Sequence, residues 1–514
     1  MRKALRLIFV LAVLALAACA KKDPLVVKTE AGYVRGFYED GMLSFRSIPY
    51  MKAERFMPPE KPDKWDGIKD CLQYPPQATQ WVNGRAMPDS VMSEQGACYL
   101  NVWTDGSKQK KPVIVWLHGG GFASGSGNAS PFYTGKTLAR KGTVCVTINH
   151  RLDILGYLDL SAASDKYKYS ANVGMMDVVA ALQWVHDNIA AFGGDPDNVT
   201  VFGESGGGGK VGTLMCMPSA KGLFHKAIIM SGTIINIMTQ EMSQALGLAM
   251  LDQFGLTKDQ VDELQKVPYE DLYRAGQRAM AASIGIRPVG SPKMWGFGPA
   301  PDGEVLLQQP FGPAFSPVSD DVPLIIGTTF NELQRSYYAQ KDMTLDQAKD
   351  ILRATYGDQT DAYVEAFGKA YPGFIPQDLV SVDQMFRPRT LRTSDARADQ
   401  HVAPVYVYMF GWKSPVRGGT AGAAHGYELP FVFGNPDMGE NIVGELTPSV
   451  IDLADKMSSV WVNFAKTGDP NVEGLPHWEP YKSSGGAIMY FDNTCSIKYD
   501  YDRELQTIMQ SVME

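Results

Sequence analysis

Cysteine is scarce, with six residues in a chain of 514. That is too few for a disulfide framework, and no Cys-x-x-Cys pair suggests a zinc or redox site. There is no basic stripe and no interleaving of basic with aromatic residues, and the net charge is −8. A nucleic-acid surface is therefore not expected. Internal repeats, low-complexity tracts and linkers of disordered composition are also missing, which excludes solenoids and tethered modules. The apolar run from Leu7 to Ala18 spans twelve residues, short of the about 20 that a membrane-spanning helix needs.

What the N-terminus does have is a targeting pattern. Arg2, Lys3 and Arg6 precede that apolar run, and Leu16-Ala17-Ala18-Cys19 closes it. The tetrapeptide resembles a bacterial lipobox, which implies removal of residues 1–18, lipidation of Cys19 and a short tether over 19–24. Export to the cell envelope follows, with a membrane contact through the lipid. An ordinary cleaved signal, leaving a soluble periplasmic or secreted protein, is the alternative. Loss of Arg2, Lys3 and Arg6 leaves 45 basic against 56 acidic residues, a net charge of about −11 for the mature chain.

From Leu25 onward the pattern is globular and α/β. Near-continuous apolar runs at 99–103, 113–117, 144–148, 199–202, 227–230, 324–327, 405–408 and 488–491 suit strands buried on both faces of a mainly parallel sheet. Helical spacing over 178–192 stops at Gly193-Gly194, and 448–467 and 502–513 also read as helices. Residues 235–300 and 336–400 are helical with looser periodicity. They are expected to be excursions that cover the active edge of the sheet, within one domain over 25–514.

Val199-Thr200-Val201-Phe202 runs straight into Gly203-Glu204-Ser205-Gly206-Gly207. A strand that stops at Gly-x-Ser-x-Gly and continues as a helix is the form of a nucleophile elbow, with glycine where the turn crowds its own backbone. A serine hydroxyl needs a general base and a group to orient that base. On this kind of fold the acid and then the histidine follow the serine, each on a loop past a strand end. His118, His150, His186 and His225 fail that order, while His401 and His477 precede strands. His425 alone sits in a loop after one. Glu332 comes directly off the 324–327 strand; Asp320 and Asp321 lie before it, and Asp302 reads as a turn residue. His118-Gly119-Gly120-Gly121-Phe122 follows the 113–117 strand as a loop able to supply oxyanion amides, with Gly206 offering another.

These features together resemble the type-B carboxylesterases, the family of cholinesterases and bacterial para-nitrobenzyl-type esterases. The resemblance covers nearly all of 25–514. It includes Phe45-Arg46-Ser47-Ile48-Pro49-Tyr50, Tyr99-Leu100-Asn101-Val102-Trp103, the run from Ala181 through Gly193-Gly194-Asp195-Pro196 to Ser205, and His425-Gly426-Tyr427-Glu428. It implies an α/β-hydrolase fold with helical cap excursions. It also implies Ser205 as nucleophile, Glu332 as acid, His425 as base, and Gly120, Gly121 and Gly206 as oxyanion donors. Glu204 and Ser231 match buried positions that support the site.

Three features depart from the family. Gly206 replaces the usual alanine, which suggests a looser elbow. Lys210 stands where many members bury a serine, and the family's N-terminal disulfide is missing, with Cys71 and Cys98 near enough in sequence to form a substitute. The expected activity is hydrolysis of a small-molecule carboxylic ester through an acyl-enzyme, with no metal or organic cofactor. Thioester, lactone or activated-amide cleavage by the same groups is the alternative, and a non-catalytic binding protein a remoter one. Oligomeric state is left open. Trp295, Phe297, Tyr337 and Tyr338 are candidates to line a substrate gorge.

Overall fold

The computed structural model describes residues 23–81, 87–88, 90–234, 236–282, 296–310, 316–334, 340, 342–400 and 402–512. The signal-like segment with Cys19, and also Trp295, Tyr337, Tyr338 and His401, lie outside the described residues.

An eleven-stranded sheet organises the chain. In chain order its strands are β1 (Phe37–Glu39), β2 (Met42–Pro49), β3 (Tyr99–Thr104), β4 (Lys111–Leu117), β5 (Val144–Ile148), β6 (Gly194–Glu204), β7 (Lys226–Met230), β8 (Leu324–Thr329), β9 (Val405–Phe410), β10 (Ala487–Phe491) and β11 (Ser496–Tyr499). Across the sheet they run β11-β10-β9-β8-β7-β6-β4-β5-β3-β2-β1. Every neighbouring pair from β5 to β10 is parallel, and the pairs at both edges are antiparallel. All residues of β5, β7, β8 and β9 are buried. Their Val/Ile-rich sequences lack the alternation of half-exposed strands because helices cover both faces.

The helices that matter for the site are α1 (Val173–Asn188), α2 (Gly206–Leu214), α3 (Arg387–Asp399) and α4 (Pro448–Thr467). α4 matches its expected span; Thr447 caps its start at Val450 N, and Gly468 ends it at φ +80°. α1 begins five residues before its periodicity predicts and gives way to a 3₁₀ turn over Ile189–Phe192. Its first turns hide their helical character. Gly174 lies against the Tyr157 ring, where a Cβ would come within 2.6 Å of Cζ. Asp177 is buried and takes Arg151 in an ion pair at 2.6 Å. Cys71 and Cys98 are buried free thiols, so no disulfide replaces the family's missing bridge.

The strand register decides what can meet. Gly203 pairs with Leu117, Glu204 with Met230, Met230 with Gly327, and Thr329 with Phe410. The carboxyl ends of β4, β6, β7, β8 and β9 therefore open side by side. From them emerge, in that order, the glycine loop, Ser205, Ser231, Glu332 and the loop that holds His425. Ligands in open α/β sheets bind at this kind of edge.

Candidate active site

Ser205 joins β6 to α2 with φ 57° and ψ −126°, a backbone state that costs a non-glycine residue on the order of 1–3 kcal/mol. The turn leaves no room for side chains around it. A Cβ on Gly203 would strike the backbone of Gly207, and one on Gly207 would strike the carbonyl of Leu117. The Ser205 amide donates to Met230 O at 2.9 Å, and its carbonyl accepts from Gly209 N at 3.0 Å, which ties the strained residue to both neighbours in the fold.

The glycine loop lies against this elbow. Gly120 and Gly121 have φ +98° and +60°, and a Cβ on Gly120 would strike Ser124 O. Gly121 and Gly206 both line the cavity beside Ser205. Their amides, and that of Gly120, donate to no acceptor among the described residues. The elbow is not loosened at Gly206. A Cβ there would strike the amide nitrogen of Gly121 and come within 2.7 Å of its Cα, so the loop closes onto the space that a family alanine would fill.

Glu332 is buried at the end of β8 with φ 40°. Its Oε1 accepts from Thr329 N at 2.8 Å, and its Oε2 makes a short hydrogen bond with Nδ1 of His425. The two loops are also clipped through the backbone, His425 N donating to Glu332 O at 3.1 Å. Nε2 of His425 lies 3.2 Å from Oε1 of Glu204, the residue before Ser205. Phe386 lines the cavity and stacks on the imidazole, with ring centroids 5.3 Å apart and planes 7° from parallel.

Three buried glutamates surround that imidazole. Burial pushes Glu204 up to about 7, with Glu332 adding to the push and His425 opposing it. Burial also drives Glu428 well above the usual carboxyl range, helped by Glu204 and Glu332. For His425 burial acts downward, but the carboxylates of Glu204, Glu332 and Glu428 outweigh it and raise the ring to about 10. Ser231 has φ 46° and reaches Glu428 Oε1 at 3.5 Å. Glu428 is thus a member that pattern reasoning overlooked, although it stands three residues past His425. Asp383 is another. Its buried carboxylate accepts the amides of Met385, Phe386 and Arg387 at the start of α3, and burial together with Glu332 raises it to about 7.

Lys210 does not face the cavity. It is fully buried, its Nζ donates to His118 O at 2.9 Å, and it lies 5.4 Å from the Phe122 ring centre. Burial lowers its pKa to about 7. His118 and His150 stack beside it at 4.9 Å, and burial with Lys210 keeps both well below the usual histidine range. Asp302 is the turn residue expected, its Oδ1 accepting from Glu304, Val305 and Leu306 amides.

The cavity beside Ser205 measures about 610 Å³. Phe297 lines it, as its sequence context suggested, and so do Trp81 and Tyr273, which stack 4.4 Å apart. Asp153 is the one acid among the described lining residues; burial raises it to about 7, with the Ile154 amide opposing. Arg389 and Arg392 stand on the wall formed by α3.

Comparison with known proteins agrees with this architecture. The model of the carboxylesterase family matches residues 23–508. A para-nitrobenzyl esterase of Bacillus subtilis is 36% identical over 496 residues, covering 93% of this chain and 97% of its own. A phenmedipham hydrolase of Pseudarthrobacter oxydans is 32% identical, covering 90% and 94%. Among solved structures, an esterase of Clostridium hathewayi superposes with a TM-score of 0.83 at 34% identity, covering 95% of this chain and 98% of its own. The fold is therefore that of the α/β hydrolases, and the chain belongs to the carboxylesterase family, whose chemistry is the hydrolysis of carboxylic esters.

Proposed function

We propose that the protein cleaves its ester through an acyl-enzyme on Ser205. His425 Nε2 takes the hydroxyl proton as Ser205 Oγ attacks the carbonyl carbon. Glu332 holds Nδ1 protonated and steadies the imidazolium that forms. The amides of Gly121 and Gly206, with Gly120 behind them, receive the oxyanion of the tetrahedral intermediate. His425 then returns its proton to the departing alcohol, and water repeats the sequence to release the acid. Glu204, with its Oε1 3.2 Å from Nε2, offers a second anchor for the imidazolium.

The observation that carries this reading is the double clasp between Glu332 and His425, side chain to side chain and backbone to backbone, at the strand ends next to Ser205. It orients the imidazole before substrate arrives and, once the ring is neutral, keeps the remaining proton on Nδ1. The test is purified Ser205→Ala protein with a simple aryl ester and a fluorophosphonate probe. Turnover should fall by at least about a thousand-fold and labelling should vanish; turnover near the wild-type rate, or labelling that persists, would refute the role of Ser205.

The chain from residue 25 is read as one catalytic unit, since strands from near both of its ends join one sheet. The lipobox-like Leu16-Ala17-Ala18-Cys19 supports placing it at the cell envelope on a lipid anchor.

A further inference from the structure

The helix α3 carries four arginines: Arg387, Arg389, Arg392 and Arg397. Two have structural work. Arg387 is fully buried and grips Asp502 through Nε and Nη2 at 2.9 and 3.0 Å. Arg397 donates to the carbonyls of Ser319 and Val322. Arg389 and Arg392 are different: among the described residues neither has a hydrogen bond or an ion pair, and both line the cavity that contains Ser205. The acid that acts on Arg389 is Asp383, but its carboxylate is occupied by the amides at the start of α3.

We propose that Arg389 and Arg392 form an anion-binding subsite, and that the preferred substrates are esters bearing a carboxylate away from the scissile bond. This rests on Ser205 being the nucleophile. Phe386, Arg389 and Arg392 stand at i, i+3 and i+6, one stripe of the helix wall. Phe386 stacks on His425, so Arg389 lies about 4.5 Å further along the axis by helical rise. Its guanidinium lines the same cavity as Ser205, one helical turn from the ring that stacks on His425.

Burial makes the case stronger. Arg389 is half-buried, and burial lowers its pKa, with Asp383 acting the other way. A guanidinium that loses water without gaining a carboxylate is costly, and a planar carboxylate fits its fork with two parallel hydrogen bonds. The protein as a whole is acidic, at −8. Among its described lining residues the cavity reverses that sign, setting two arginines against Asp153. Such a wall attracts anionic substrates and disfavours cationic ones.

The test compares mono-4-nitrophenyl adipate with 4-nitrophenyl hexanoate, which match in chain length and differ in the terminal carboxylate. A second arm, 4-acetoxybenzoate against 4-acetoxybenzamide, places the charge on the alcohol side. The readout is the ratio of kcat/KM within each pair. Arg389→Gln is expected to lower the ratio at least ten-fold in one arm, with Arg389→Lys recovering part of it and Arg392→Gln giving a smaller drop. A badly folded variant depresses both members of a pair and leaves the ratio alone. Adipate binding to the Ser205→Ala protein, followed by calorimetry, asks the same question without turnover and is expected to disappear with Arg389→Gln. A ratio unchanged within two-fold in both arms for the Arg389→Gln/Arg392→Gln double variant, or no adipate binding, would overturn the subsite. Failure of the nucleophile reading shows differently, as hydrolysis of the neutral esters that survives Ser205→Ala.

Discussion

Lys210 Nζ donates to the carbonyl of His118 at 2.9 Å, from a fully buried position behind the glycine loop. Among the described residues no carboxylate pairs with it; its ammonium meets a backbone carbonyl and the face of Phe122. The lysine that breaks the family pattern therefore bears on the loop that would hold the oxyanion.

That relationship has a pH signature. Lys210 has a folded pKa of about 7 against 10.5 for the free side chain. Between those values the unfolded chain binds more protons, so this group makes stability rise with pH from about 7 to about 10. Lys210→Met removes the rise. The stability of wild type minus that of the variant, from urea unfolding, should climb with pH by up to about 1.4 kcal/mol per unit. A flat difference between pH 7 and 10 would contradict it.

The proposed base should titrate high. With Glu204, Glu332 and Glu428 outweighing burial, His425 sits at about 10, so the acid limb of kcat/KM should lie above the ordinary histidine value of 6.5. Removing the charge 3.2 Å from Nε2 by Glu204→Gln should move that limb down by about one unit or more. Because these groups titrate together, the limb belongs to the cluster. A pH–rate profile with an unshifted limb in the variant would refute the coupling.

Gly206→Ala restores the residue usual in the family, yet it should harm this enzyme. The added Cβ would strike backbone at Gly121 rather than a side chain that can swing away. Displacing one oxyanion amide should cost on the order of ten- to a hundred-fold in kcat with little change in KM. Steady-state kinetics beside a melting curve separates this from simple unfolding, and an unchanged kcat would mean the loop can retreat freely.

Cys19 is expected to carry lipid. Cells given a radioactive fatty acid should label the wild-type protein and not Cys19→Ala, which should also leave the membrane fraction. Absence of label on the wild type would favour an ordinary cleaved signal.

Much of the site was legible because its determinants are local. The Gly-x-Ser-x-Gly turn, the His118-Gly119-Gly120-Gly121 loop and the positions of Glu332 and His425 past their strands all follow from short-range rules about crowding, strand ends and chain order. Asp302 as a turn and α4 with its caps were legible for the same reason. The start of α1 was not, since Gly174 and Asp177 answer to Tyr157 and Arg151 from elsewhere in the chain. Nor were Glu428 and Asp383 marked, because a glutamate or aspartate in sequence says nothing of its burial.

The sequence alone determined the sheet, the serine elbow and the placing of Glu332 and His425 past strand ends, since each depends on neighbours in the chain. Only the tertiary structure decided that Cys71 and Cys98 stand as free thiols, that Gly206 admits Gly121, that Lys210 faces a carbonyl, and that Arg389 and Arg392 line the cavity with no hydrogen bond or ion pair among the described residues. Those outcomes depend on which distant groups share a low-dielectric space, and on how closely backbones approach there. A linear pattern carries neither quantity.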